Sequence, residues 1–311
     1  MIVSVSSTEA QRLAAAGAAE LSDELERGKV VCFPQCPIAL PRPEDLEFLR
    51  DGLASFLKSK NVSYHPESDS LRGLKAGASV AGRARDLLVA HASRVQKFLR
   101  AAMPGFTRGW TVGTTSFRPL QEAGRGLSPH ASNELVHIDA GAYGATHGDR
   151  ILRFFVNVNP TEDRLWISKG PFTELYRKHA RAAGLLPARE RDRFLDEGPL
   201  DRALSSLLRV ASRAAPAVRM IDTSPYDRLM RRFHNYMKDE PAFRDSKDGL
   251  RELVFPPFSA WMVLTDAVSH ACTSGQHALV DTFVVPLANC RLREHAPYDI
   301  LKSAGRLLDV H

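Results

Sequence analysis

The spacing of apolar and polar residues divides the chain into a helical beginning, a β-rich middle, a second helical stretch and a β-rich end. Ser6-x-x-Glu9 has capping-box spacing, and the residues that follow to about Arg27 have high helix propensity, predicting an N-terminal helix. Val30-Val31-Cys32-Phe33 reads as a short buried strand ended by Pro34, and residues 44–57 return to helical periodicity. The polar stretch 58–75, with Lys58, Lys60, Tyr64, Arg72 and Lys75, predicts a solvated loop, the alternative being an arm over an anionic site. Residues 82–103 predict a long helix with Leu87, Leu88, His91, Val95 and Phe98 on its apolar side, stopped by Pro104-Gly105. His91 reads there as a satisfied core residue rather than a ligand.

β character begins at residues 110–117 and resumes, after a loop, in the apolar run Leu135-Val136-His137-Ile138-Asp139. A turn over 141–148 leads to residues 151–159, the strongest strand signal in the chain, closed by Pro160; Arg164-Leu165-Trp166 predicts the next strand. Residues 171–213 read as helical, with breaks at Pro187 and Gly198-Pro199. Ser224 then caps a helix with Pro225 in its first turn. That helix carries Leu229, Phe233 and Met237 on one face, with Arg228, Arg231 and Arg232 nearby as a solvated face or, alternatively, a phosphate contact. Strands return at 253–255, 261–266 and 277–285.

Strands on both sides of a helical insert, with no βαβ alternation, predict a mainly β fold with α elaborations. The expected core is a jelly roll, a cupin-like double-stranded β-helix. One elaborated domain is expected over 1–311: a mainly helical N-terminal layer at 1–105, core strands at 106–170 and 250–287, and a helical insert at 171–249.

Composition narrows the class. A chain of 311 residues with 44% hydrophobic content can bury a large core. It has no run of 18 apolar residues, so no membrane span is expected. The stretch 9–26 is too charged for a signal peptide, which predicts a cytoplasmic location. Cys32, Cys36, Cys272 and Cys290 show no paired CxxC spacing and read as reduced thiols. The net charge of +6 suggests an anionic partner. Nucleic acid is disfavoured, because the positive residues form no aromatic-interleaved patch along one element.

The chemistry centres on His137 and Asp139. Two positions apart in a strand, they project from one face and can hold one metal ion between them. With 11 histidines and 36 acidic residues, about one His-x-acid match is expected by chance, and the chain has three. His65-Pro66-Glu67 contains proline and His147-Gly148-Asp149 sits in a turn, so only His137 lies in a β-like run. The alternative is a hydrogen-bonded histidine and a solvated aspartate on an edge strand. A second histidine from a distant strand would complete the facial triad of a non-haem Fe(II) oxygenase, with three open positions. His270 is the natural third ligand, and His277 competes for the role. Three open positions fit 2-oxoglutarate, bound through its C1 carboxylate and C2 ketone, plus O2. Oxidative decarboxylation would then give succinate, CO2 and an oxidant able to attack an unactivated C–H bond. A carboxylate ligand favours hydroxylation, since related halogenases lack one. Arg153 interrupts an apolar run and requires an anionic partner.

Several ordered motifs resemble one family. They are Thr115-Ser116-Phe117-Arg118-Pro119; His137-x-Asp139 followed by Gly148-Asp149-Arg150-Ile151-Leu152-Arg153; Asn157-Val158-Asn159-Pro160; and Thr265-Asp266-x-x-x-His270-Ala271-x-x-x-Gly275-Gln276. With Gly28-Lys29-Val30 to Phe33-Pro34 and Lys60-Asn61-Val62-Ser63 they cover most of the chain, which is similar to the Kdo hydroxylases, Fe(II)/2-oxoglutarate-dependent dioxygenases. The resemblance implies a jelly-roll core and hydroxylation at C3 of 3-deoxy-D-manno-oct-2-ulosonic acid (Kdo) in the lipopolysaccharide inner core. It implies Fe(II), with 2-oxoglutarate and O2 as cosubstrates and ascorbate as an optional reductant. The partner would be Kdo-lipid A or a related anionic glycolipid, with peripheral contact at the cytoplasmic face of the inner membrane. Many 2-oxoglutarate enzymes place an arginine shortly beyond the distal histidine, but here Arg291 and Arg293 come late. Arg153 is therefore the preferred anchor of the far carboxylate, with Arg118, Arg164 and Trp166 lining the same pocket. The same chemistry on another anionic sugar or lipid, or a non-catalytic jelly-roll sugar-binding protein, are the alternatives.

Overall fold

Alternate side chains of the same strands supply two separate cores, and Phe155, Trp166 and Cys272 belong to the second. A computed structural model describes residues 1–16, 19–141, 144–186, 195 and 224–303. In chain order the strands are β1 (Ile2–Ser4), β2 (Val30–Phe33), β3 (Val62–His65), β4 (Ser70–Arg72), β5 (Thr111–Arg118), β6 (Arg150–Asn157), β7 (Arg164–Ser168), β8 (Arg251–Phe255), β9 (Ala260–Leu264), β10 (Ala271–Ser274) and β11 (Ala278–Val285). The large sheet runs β1-β2-β9-β6-β11-β5-β3-β4, antiparallel except for the parallel β1–β2 pair; β10-β7-β8 form the smaller antiparallel sheet. The two sheets make the jelly roll expected from the strand pattern.

On β2, Val31 and Phe33 join Leu152, Phe154, Val156, Met262 and Leu264 in a core covered by the helix Ala78–Ala102, through Leu88, Val95 and Leu99. Val30 and Cys32 point the other way. They meet Phe155, Trp261, Val263 and Val280 and, from the small sheet, Trp166, Leu253, Phe255 and Cys272. The period of two along a strand separates the two sets. Arg153 shares the inner side with Phe155 and so projects into the space between the sheets. A third cluster packs Val136 and Ile138 against the helices Phe172–His179 and Pro225–Asp239. The capping box predicted at Ser224 is present, completed by Asp227.

His91 is buried in the core, but it is not the satisfied residue expected: its Nε2 lies 3.0 Å from Oδ2 of Asp281, and neither ring nitrogen makes a well-aligned hydrogen bond among the described residues. The other Asp281 oxygen accepts a hydrogen bond from Thr115 at 2.6 Å. The four cysteines are free. Among the described residues, no helix is long and apolar enough to cross a membrane.

Several local expectations change. The polar stretch 58–75 is not a loop, because β3 and β4 form a hairpin at the edge of the large sheet. Its polar residues lie on the open face of the edge strand β4 and its neighbour β3, with Val62 alone fully buried. The N-terminal helix is two helices, Ser7–Ala16 and Glu20–Glu26, and β1 adds a strand too short to leave a periodic signal. Residues 44–57 break into Pro43–Glu47, a π turn at Phe48–Gly52 and a short 3-10 turn. Of the predicted helical stretch 171–213, Phe172–His179 is helical; residues 187–213 lie outside the described residues apart from Leu195. Residues 142 and 143 of the predicted turn also lie outside them.

Candidate metal centre

The run 135–139 is not a regular strand. His137 forms a single bridge with His270, exchanging both backbone bonds at 3.1 and 2.8 Å, and Asp139 then gives its N–H to Thr265 instead. The change of partner ends the ladder, but it brings the three side chains together. Donor atoms of His137, Asp139 and His270 all lie within 4.8 Å of one another. His277 is elsewhere, its ring stacked on Phe117. The rival motifs do not cluster: His65 bonds Glu67 on the exposed hairpin, and His147 occupies a left-handed turn at φ 51°.

Each histidine is held by the carbonyl two residues before it. His137 donates Nδ1–H to Leu135 at 2.7 Å, and His270 does so to Val268 at 3.0 Å. That assignment leaves both Nε2 lone pairs for a metal. Burial and the nearby positive groups hold both rings below the ordinary histidine value, so both are neutral at pH 7. Burial works against the charge of Asp139. Arg153, followed by His270 and His137, more than offsets it and holds the carboxyl below its usual range. Oδ2 accepts from Arg153 Nε at 2.8 Å, and Oδ1 is 3.9 Å from His137 Nε2. Two neutral imidazoles and a carboxylate oxygen, each oriented by a second hydrogen bond, fit one divalent iron.

Beside the triad is a cavity of about 60 Å³ lined by Arg118, Asn133, Arg153, Phe155, Trp166, Cys272 and the three candidate ligands. Trp166 stacks on His270 with centroids 5.1 Å apart. Arg118 lies over the Phe155 ring at 5.9 Å. Arg164 does not line this cavity. It is fully buried behind it and donates Nη2–H to Glu122 at 3.1 Å, because a buried guanidinium needs an anion and Glu122 supplies one.

Glu122 also takes Arg125 at 3.0 Å, Asn133 at 3.1 Å and, at a longer 3.5 Å, Arg118. Burial raises the carboxyl, but its arginines hold it below the usual carboxylate range. One carboxylate thus faces three guanidiniums, and Arg118 Nε is buried without a hydrogen-bond partner among the described residues. The site carries unneutralised positive charge where an anion can enter.

Sequence reasoning missed Glu122, Asn133 and Cys272, and also His234 and Lys238 from the helix Pro225–Asp239. His234 gives Nδ1–H to the carbonyl of Ile138 at 2.6 Å, and Lys238 holds the carbonyls of Ser132 and His130 at 2.9 and 3.2 Å. Burial pushes the Lys238 ammonium down to about 8. The available signal was their spacing with Arg231, at i, i+3 and i+7 on one helix.

A family model of 3-deoxy-D-manno-oct-2-ulosonic acid (Kdo) hydroxylase matches residues 8–306. Solved structures of the Kdo hydroxylase KdoO, a non-heme Fe(II) alphaketoglutarate-dependent dioxygenase, share the fold. The apo form matches with a TM-score of 0.76 and 27% identity. Its complexes with alphaketoglutarate and Fe(III), and with succinate and Fe(III), match with TM-scores of 0.78 and 26% identity. Each match covers 97% of this chain and 95% of KdoO. No curated protein sequence matches. Matched along nearly its whole length, with a buried two-histidine, one-aspartate cluster beside an arginine-rich cavity, the chain belongs to the Kdo hydroxylase family.

Proposed function

We propose that this protein is an Fe(II)/2-oxoglutarate-dependent hydroxylase acting at C3 of Kdo in Kdo-lipid A. The observation that carries this reading is the cluster of His137, Asp139 and His270, with its Nε2 atoms free, inside a Kdo hydroxylase-family fold. Bound iron, with 2-oxoglutarate and O2, supplies the oxidant: one oxygen atom goes to the sugar and the other to succinate, with loss of CO2.

The chain's own residues supply the holding and the charge. His137 and His270 present Nε2, and Asp139 presents Oδ1 while Arg153 restrains Oδ2. Arg118, with surplus positive charge and an unpartnered Nε, takes the far carboxylate of 2-oxoglutarate, and Arg153 adds its charge from the metal end. Phe155 and Trp166 wall the cavity and keep bulk water from the reacting groups. Ascorbate serves only to restore the ferrous state. The positive net charge supports peripheral contact with an anionic membrane face, where the glycolipid is met from the cytoplasmic side.

The test is incubation of the protein with Fe(II), 2-oxoglutarate and Kdo-lipid A, reading succinate release and the mass of the sugar. A gain of one oxygen on Kdo, lost in His137→Ala and Asp139→Ala, is expected. Turnover surviving both substitutions, or oxygen appearing on another sugar or on the lipid, would reject the assignment.

A further inference from the structure

The helix Pro225–Asp239 turns a polar stripe toward the metal centre. Arg231, His234, Asn235 and Lys238 stand at i, i+3, i+4 and i+7 and share one side of it. Two of them fasten the helix: His234 bonds the carbonyl between His137 and Asp139, and Lys238 bonds the loop before Leu135. The other two are uncommitted. Arg231 and Asn235 have no side-chain partner among the described residues, whereas the adjacent Arg232 donates to the carbonyl of Gly184 at 2.9 Å.

Between this stripe and the backbone of Ala140, Gly141 and Gly144 is an open cleft of about 380 Å³, and Asp139 forms part of its wall. Asp139 also borders the 60 Å³ cavity, so the two spaces meet at one metal ligand. At about 380 Å³ the cleft falls within the range of about 300 to 1,000 Å³ usual for small-molecule sites, so it offers space for a sugar apart from the cavity assigned to 2-oxoglutarate. Gly141 and Gly144 contribute backbone alone to the opposing wall.

We propose that Arg231, with Asn235 and His234, is the subsite for the carboxylate of the acceptor sugar acid and sets its specificity. This rests on the function proposed above, which makes the acceptor a sugar acid. The chemistry of the three side chains selects the ligand. Arg231 offers one full positive charge in a planar fork, suited to a carboxylate. His234 has given its Nδ1–H away, so its Nε2 accepts from a hydroxyl, and the Asn235 amide both donates and accepts. A phosphate dianion would call for several donors and no acceptor, whereas a singly charged acid flanked by hydroxyls matches this set.

The test uses the methyl glycoside of Kdo and the methyl ester of that glycoside. The full-length protein is loaded anaerobically with Fe(II) and 2-oxoglutarate, and calorimetry reads binding. The native protein should prefer the acid over the ester by about tenfold or more, the scale of one charge-assisted contact. Arg231→Gln should erase that preference and Arg231→Lys restore part of it, with unchanged thermal midpoint, Co(II) affinity and 2-oxoglutarate affinity. Equal binding of acid and ester by the native protein, or a preference that survives Arg231→Gln, would overturn the subsite. Binding does not depend on turnover. A native protein that prefers the acid yet adds no oxygen to Kdo-lipid A would reject the proposed function and leave the subsite standing.

Discussion

Arg153 donates its Nε–H to Oδ2 of Asp139 at 2.8 Å, and this bond decides which carboxylate oxygen faces the histidines. The sequence suggests that Arg153 needs an anion, and the anion it finds is Asp139, a candidate metal ligand. Its first task is therefore to position Asp139. Replacing Arg153 with Ala should lower Co(II) affinity by about 10- to 100-fold, the usual effect of losing an outer-sphere partner of a ligand. Titration of the cobalt absorption band reads this directly, and unchanged affinity would remove the positioning role.

Arg118 should behave differently. Arg118→Gln removes a charge from the end of the cavity without touching a ligand. It should raise the 2-oxoglutarate requirement by about 10- to 100-fold and leave Co(II) binding intact. If the requirement does not move, the far carboxylate belongs to Arg153.

The neutral histidines set a pH dependence. Burial lowers both His137 and His270 from the ordinary value of about 6.5. Nothing has to be deprotonated at neutral pH, so Co(II) affinity should be flat from about pH 8 to 6.5 and fall only below that. The metal-free protein follows the same sign. The unfolded chain takes up protons on these histidines before the folded one does, so their contribution to stability is whole above about pH 6.5 and is lost as pH falls below it. Affinity declining steadily between pH 8 and 7 would contradict neutral rings.

Among the described residues Glu122 is the single anion paired with Arg118, Arg125 and Arg164, and it is buried. Glu122→Gln leaves Arg164 without a charge partner, which should cost about 3–5 kcal/mol. Urea unfolding of native and variant proteins measures it, and a shift below about 1 kcal/mol would mean that the cluster is solvated.

What the sequence made legible follows from local physics. The apolar runs at β6 and β9 and the capping box at Ser224 could be read because each is set by neighbours in the chain. His137, Asp139 and His270 could be named because a facial triad fixes residue types as well as spacing. Arg153 could be named as a charge that interrupts an apolar run, and Arg118 through a motif that resembles the family's. Their partners could not. Glu122 meets Arg164 across 42 positions, and His234 meets Ile138 across 96, so only the folded chain pairs them. The hairpin Val62–His65 and Ser70–Arg72 was hidden because edge strands keep polar residues on their open side. The run at His137 looked like a strand because its apolar residues are buried by helices rather than by a ladder.

The turn after β10 has a reach beyond its own loop. Gly275 has φ 138°, and a Cβ there would lie 2.5 Å from Cγ of Arg164, whose guanidinium holds Glu122; the Gly275 carbonyl also accepts the Glu122 N–H. A single methyl group at this position would press on the arginine cluster from behind. If Arg118 holds the keto acid as proposed, a lesion at Gly275 would register as poor use of that cosubstrate while all three candidate ligands stayed intact.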